Sequence, residues 1–142
     1  MSTFLGFDFG TRKIGIAVGQ LITRSATPLT TLRHRQQRPD WAGIERIVRD
    51  WQPQGAVLGL PYHMDDREEA WADQVRRFAR QLQGRFQLQV HLIDERLTSL
   101  EARRTLGLAA SARDEVIDAM AATLILETWL SEQSSVEISA RH

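Results

Sequence analysis

The chain has 142 residues, and its 18 basic and 18 acidic side chains give a formal net charge of zero, so it carries no global basic signature of a nucleic-acid binder. An apolar share of 42% and a charged share of 25% are ordinary for a globular chain that buries a core without staples, and we expect one domain over residues 1–131 and a disordered tail over 132–142. The absence of cysteine excludes a disulfide scaffold, a thiolate metal site and a cysteine nucleophile; with no signal-peptide pattern and no long apolar run, a cytoplasmic protein without a membrane segment is expected.

Residues 3–9 and 14–20 are β-rich runs around Gly10-Thr11-Arg12-Lys13, the pattern of a hairpin. Residues 26–33 (ATPLTTLR) read as a third, more polar strand suited to an edge. LRHRQQRPD is a loop, and Pro39-Asp40 can start a helix in which Trp41, Ile44, Val48 and Trp51 recur at helical spacing. Gln52-Pro53 stops it. Ala56 to Leu60 is a short continuous apolar run, as expected of a central strand covered on both faces. After LPYHMDDREE comes a helix with Trp71, Val75, Phe78, Ala79 and Leu82 on one stripe. LQVHLI (88–93) is the next strand, ending in Asp94-Glu95-Arg96. A short helix over 99–106 can end at Gly107, and a last helix runs over 112–131. The order predicts an α/β fold: a five-stranded mixed sheet, three antiparallel strands followed by βαβ units, flanked by helices.

Three carboxylates stand where a charge is unexpected. Asp8 lies mid-strand among Phe4, Leu5, Phe7 and Phe9. Glu95 follows a strand. Asp118 shares a helix face with Ala121, Ala122 and Ile125, a small apolar face suited to lying close on a sheet. Buried carboxylates persist when paired or when they hold a metal. Oxygen ligands from separate elements suit Mg²⁺ or Mn²⁺, and two such ions about 3.5–4 Å apart can activate a water and stabilise the leaving oxygen of a phosphodiester. Each acid also has a plainer reading: Asp8 capping the Gly-Thr turn, Glu95 pairing with Arg96, Asp118 as a partly exposed helix residue.

GFDFGTRKIGIAVG (6–19), VLGLPYHMD (57–65), and IDERLTSLEA (93–102) joined by EVIDAMAATLIL (115–126) together resemble the YqgF/RuvX family. These are RuvC-like proteins of the ribonuclease H-like superfamily. The resemblance extends over about residues 4–130 and implies a ribonuclease H-like fold and divalent-metal phosphodiester hydrolysis. Its acidic positions fall on Asp8, Glu95 and Asp118. It also implies maturation of the 5′ end of pre-16S rRNA or, by analogy with RuvC, resolution of Holliday junctions. Three positions depart from the family pattern. Arg12-Lys13 stands for the usual Lys-Arg; Asp66 replaces a glycine after Met64-Asp65; and Arg113 is the lone cation of LGLAASARDE, where relatives are more basic. Fewer cations weaken phosphate affinity. Glu115 is the first candidate for a fourth acid and Asp114 the second.

On this reading Asp8 bridges the metals and Glu95 and Asp118 flank it. Thr11, Arg12 and Lys13 contact phosphate from the turn through N–H groups and charge. Arg96 and Thr98 are phosphate or supporting contacts, with an ion pair and a helix cap as their plainer roles. Arg76, Arg77 and Arg80 read as a solvated helix face, and His63 and His91 as isolated. The substrate is nucleic acid, precursor rRNA or branched DNA, and the protein a monomer or homodimer. The DFGT hairpin is shared with the actin-like and sugar-kinase ATPases, but those close two such domains round ATP. A non-catalytic nucleic-acid-binding module is the rival from another class.

Overall fold

The structure, a computed structural model, describes residues 2–61, 66–98 and 114–133. Strands β1 (Thr3–Phe9) and β2 (Lys13–Gln20) form the expected hairpin, antiparallel, with Asp8 opposite Gly15. Strand β3 (Ser25–Arg33) pairs antiparallel with the outer side of β2, at the sheet edge. On the other side of β1, strands β4 (Gly55–Leu60) and β5 (Gln89–Asp94) run parallel to it, completing the five-stranded order β3-β2-β1-β4-β5. Strand β4 is therefore interior, as its unbroken apolar run requires.

Side-chain alternation assigns the two faces. Leu5, Phe7, Ile14, Ile16, Ala56 and Leu58 bury themselves beneath helices α1 (Trp41–Trp51) and α2 (Asp66–Phe86), joined by Ile44, Val75, Phe78 and Leu82. Phe4, Ala17, Val57 and Ile93 point the other way, into a second core closed by α3 (Asp114–Ser131) through Ala121, Ala122, Ile125, Leu126, Trp129 and Leu130. The result is three layers, with the sheet in the middle.

Helix α1 begins and ends where the sequence places its signals. The Asp40 side chain accepts from the Gly43 N–H at 3.1 Å, satisfying one of the first-turn donors. Gln52 closes the helix in the left-handed conformation, φ 47°, and Pro53 follows. Asp40→Ala is expected to cost about 1 kcal/mol of unfolding free energy, read from urea denaturation.

Helix α3 comes close to the sheet where β1 and β2 present the glycines Gly6 and Gly15 beneath it. A Cβ built on Gly6 would lie 2.7 Å from the Ala122 carbonyl oxygen, and one on Gly15 would lie inside the Asp118 carbonyl. Tight approach of helix to strand thus fixes where Asp118 sits.

Of the four tryptophans, Trp129 is core, its ring tilted against Phe4 at 4.9 Å, whereas Trp51 is 40% exposed. Among the described residues no helix is long and apolar enough to cross a membrane. The loop holding His63, Met64 and Asp65, the short helix expected over 99–106 with Gly107, and Arg113 lie outside the described residues, as does the tail from 134.

Candidate active site

Because β1, β4 and β5 are parallel, their carboxyl ends gather at one end of the sheet, the usual location of sites in open α/β sheets. Asp8 is the penultimate residue of β1, 5% exposed, on the face that α3 covers. Its neighbours on that face are glycines. Across the hairpin stands Gly15, against which the α3 backbone rests at Asp118. On the other side Phe7 pairs with Leu58, which sets Gly59 of β4 beside Asp8. Over Gly59 lies Glu95, whose Cγ would be 3.0 Å from a Cβ there.

Glu95 opens a 3₁₀ turn (Glu95–Leu97) directly after β5, and it comes two residues after Ile93, which faces α3. Asp8, Glu95 and Asp118 therefore share one face and one end of the sheet, with Asp8 between the other two. The glycine on each side makes room for the α3 backbone at Asp118 and for the Glu95 side chain.

Asp118 is partly exposed and lies 3.7 Å from the Nζ of Lys13, the chain's only lysine. The two residues are remote in sequence, and their pairing ties the start of β2 to α3. Glu115 and Asp114 belong to the first turn of α3, and their side chains lie outside those described. Among the described residues no three acidic or histidine side chains stand close enough to hold one ion. The donor chemistry of the three carboxylates, oxygen only and floored by glycines, nevertheless fits a hard divalent cation such as Mg²⁺ or Mn²⁺.

The turn before β2 is closed by the Gly10 N–H donating to the Lys13 carbonyl at 2.9 Å, leaving Thr11 and Arg12 exposed. His34 buttresses it from β3's end. Its backbone N–H donates to the Arg12 carbonyl at 2.8 Å, and its Nε2 lies 2.8 Å from the Gly10 carbonyl, which only a protonated Nε2 can satisfy. Nothing in LRHRQQRPD marks this histidine, because its partners lie in a turn more than twenty residues upstream. His34→Ala is expected to cost about 1–2 kcal/mol in thermal or urea unfolding, since the Gly10 carbonyl loses its side-chain donor.

Arg96 is exposed and lays its guanidinium on Asp94, with Nη2 2.7 Å from Oδ2. Thr98 is buried, and both its N–H and its hydroxyl donate to the Glu95 carbonyl, at 3.0 and 2.7 Å. That places Thr98 as a brace for the turn carrying Glu95. Arg76 pairs with Asp73 at 2.9 Å, Arg77 and Arg80 are exposed, and His91 stacks on Trp129 at 4.6 Å. His63 lies outside the described residues.

The RuvX family, described as Holliday junction resolvase, matches residues 2–132. A protein of Nitrosococcus oceani named, provisionally, as a pre-16S rRNA nuclease is 48% identical over 134 residues, covering 93% of this chain and 88% of the relative. A Legionella pneumophila protein of the same name is 46% identical over 132 residues, covering 91% and 95%. Among solved structures, T. thermophilus RuvC in complex with a Holliday junction substrate superposes with a TM-score of 0.59 at 13% identity, covering 92% of this chain and 94% of that one. The fowlpox virus Holliday junction resolvase gives 0.54 at 8% identity, covering 92% and 99%. At such identities the likeness concerns the fold, which is that of the resolvases and of the ribonuclease H-like proteins.

Proposed function

Because the chain belongs to the RuvX family, we propose that it is a divalent-metal-dependent nuclease that hydrolyses phosphodiester bonds, matures the 5′ end of pre-16S rRNA and acts in the cytoplasm. The observation that carries this reading is the gathering of Asp8, Glu95 and Asp118 on one face at the carboxyl ends of the parallel strands. The choice of rRNA rests on the names of the curated relatives.

Asp8, Glu95 and Asp118, with Glu115 as a fourth candidate, would hold Mg²⁺ or Mn²⁺, two ions in our reading, which when bound acidify a water and stabilise a leaving oxygen. Asp8 is held rigidly by its strand, whereas Glu95 and Asp118 are partly exposed and can change rotamer to meet it. Thr11 and Arg12 present N–H groups and charge to a phosphate from the turn. Lys13 stands between Asp118 and that turn, so its ammonium can pass from carboxylate to phosphate when substrate arrives. Arg96 adds a guanidinium at the rim, and Thr98 steadies Glu95 from below.

The test offers precursor 16S rRNA and a four-way DNA junction together, with Mg²⁺ or Mn²⁺. Cleavage of the RNA alone is expected. Paired, symmetric nicks in the junction would reassign the protein to branched DNA and imply a homodimer with two sites. Binding of both without cleavage of either would leave a nucleic-acid-binding module.

A further inference from the structure

On the sheet face opposite the carboxylates, the end of β1, the loop before α1 and helix α2 enclose a hollow of about 450 Å³, within the size range of ligand pockets. Three arginines line it, Arg38, Arg77 and Arg85, and among the described residues no acidic side chain does. The nearest carboxylates in sequence, Asp40 and Asp73, pair instead with Arg35 and Arg76. A merely solvated helix face is convex and mixes charges. Here the cations surround a concavity.

Its floor is aromatic and layered. Trp71 stacks on Phe9 at 5.4 Å, Phe9 on Phe78 at 4.6 Å and Phe78 on Trp41 at 5.4 Å, all within 26° of parallel. The Arg85 guanidinium caps the series, 4.2 Å from the Trp41 ring centroid. Flat aromatic and guanidinium surfaces are where unstacked bases of single strands settle, while guanidinium groups grip phosphates bidentately. Gln74 and Gln81 add paired donors and acceptors able to meet a base edge.

The lip of the hollow is held in an unusual conformation. Arg35 and Arg38 exchange backbone hydrogen bonds at 2.8 and 3.0 Å across Gln36 and Gln37, whose φ values are 53° and 63°. Such a two-residue turn favours Asn-Gly, and two glutamines there carry strain that persists where the surroundings enforce it. The turn sets Arg38 at the opening.

We infer that this hollow is a subsite for one nucleotide of a single-stranded segment flanking the scissile phosphate, its base laid on the outer face of the Arg85 guanidinium that caps Trp41 and its phosphates held by Arg38 and Arg77. Phe9 joins the two places, because it follows Asp8 in β1 and faces the opposite side of the sheet. A strand leaving the carboxylates reaches the hollow over the Gly10–Lys13 turn. The inference rests on the nuclease reading for its substrate and adds where that substrate is gripped.

The test is fluorescence anisotropy of the full chain in EDTA with labelled single-stranded RNA and DNA 12-mers of one sequence, and an abasic DNA of the same length. The doubly substituted Arg77→Ala/Arg85→Ala protein is expected to bind both intact strands about tenfold more weakly, with a shallower salt dependence. Arg46→Ala/Arg49→Ala removes the same charge from exposed sites outside the hollow and is expected to bind within about twofold of wild type. The abasic strand is expected to bind wild type about tenfold more weakly than the intact DNA. Tighter binding of RNA than of DNA would assign the subsite to RNA, and the reverse to DNA. Equal affinity of Arg77→Ala/Arg85→Ala and wild type, equal losses in both doubly substituted proteins, or equal binding of the abasic strand would overturn the subsite. A wild type that binds through the hollow but cleaves nothing with Mn²⁺ would instead overturn the nuclease reading and leave the subsite standing.

Discussion

Asp8→Asn is expected to reduce metal-dependent phosphodiester cleavage by about a thousandfold or more, while leaving the stability of the metal-free protein unchanged or higher. Asparagine keeps the volume of aspartate at a position only 5% exposed, so packing in β1 is preserved. What it removes is one negative charge from a face that also receives Glu95 and Asp118. A buried carboxylate is repelled by other acids on its face, and sites built this way trade stability for function. A purely structural Asp8, capping the adjacent turn, predicts the opposite pattern. Its loss would lower the unfolding midpoint and reduce activity only in proportion to the fraction unfolded. Urea denaturation and a cleavage assay on the same preparation separate the two.

The largest effect on folding is expected at Gly15. A Cβ there would fall inside the Asp118 carbonyl, which is backbone and cannot rotate away, so α3 must lift from β2. Overpacking of this kind costs typically about 1–3 kcal/mol, and we place Gly15→Ala at or above about 3 kcal/mol because a whole helix is displaced. Lifting α3 also carries Asp118 away from Lys13 and Asp8, so activity should fall further than stability alone explains. Gly84→Ala is the matched control. Nothing lies within 4 Å of a Cβ at Gly84, in α2, and the substitution should stabilise by about 0.5–1 kcal/mol in the same denaturation assay.

Much of this architecture is legible in the chain because the signals are local. The strand runs at 3–9 and 14–20, the Asp40 cap and the Gln52-Pro53 stop each report a nearby hydrogen bond or its prevention, and the elements stand within a residue of those positions. The small face of α3 is likewise readable from Asp118, Ala121, Ala122 and Ile125, since close packing needs small residues at helical spacing. That Gly15 is the strand residue receiving this helix is not readable, because the contact depends on register across the hairpin and on a helix a hundred residues away.

The same limit explains what spacing misses around the site. Helical periodicity correctly puts Arg77 on the polar face of α2, where it reads as solvated. It cannot show that the loop before α1 rises beside that face and turns it into one wall of a hollow with Arg38 and Arg85. His34 is invisible for a related reason: its hydrogen bonds reach back to Gly10 and Arg12, and a histidine among arginines and glutamines carries no pattern of its own. Arg96 shows the converse. Its neighbours in Asp94-Glu95-Arg96 offer two carboxylates, and only the turn geometry after β5 places the guanidinium on Asp94.

The most direct measurement is a manganese titration, followed by electron paramagnetic resonance of free Mn²⁺, on wild type and on Asp8→Asn, Glu95→Gln and Asp118→Asn. If the three carboxylates hold the ions, wild type binds saturably and each substitution weakens binding by about tenfold or more, with Asp8→Asn the most severe because Asp8 lies between the others. Saturable binding that all three variants retain at wild-type strength would contradict a metal centre at these residues.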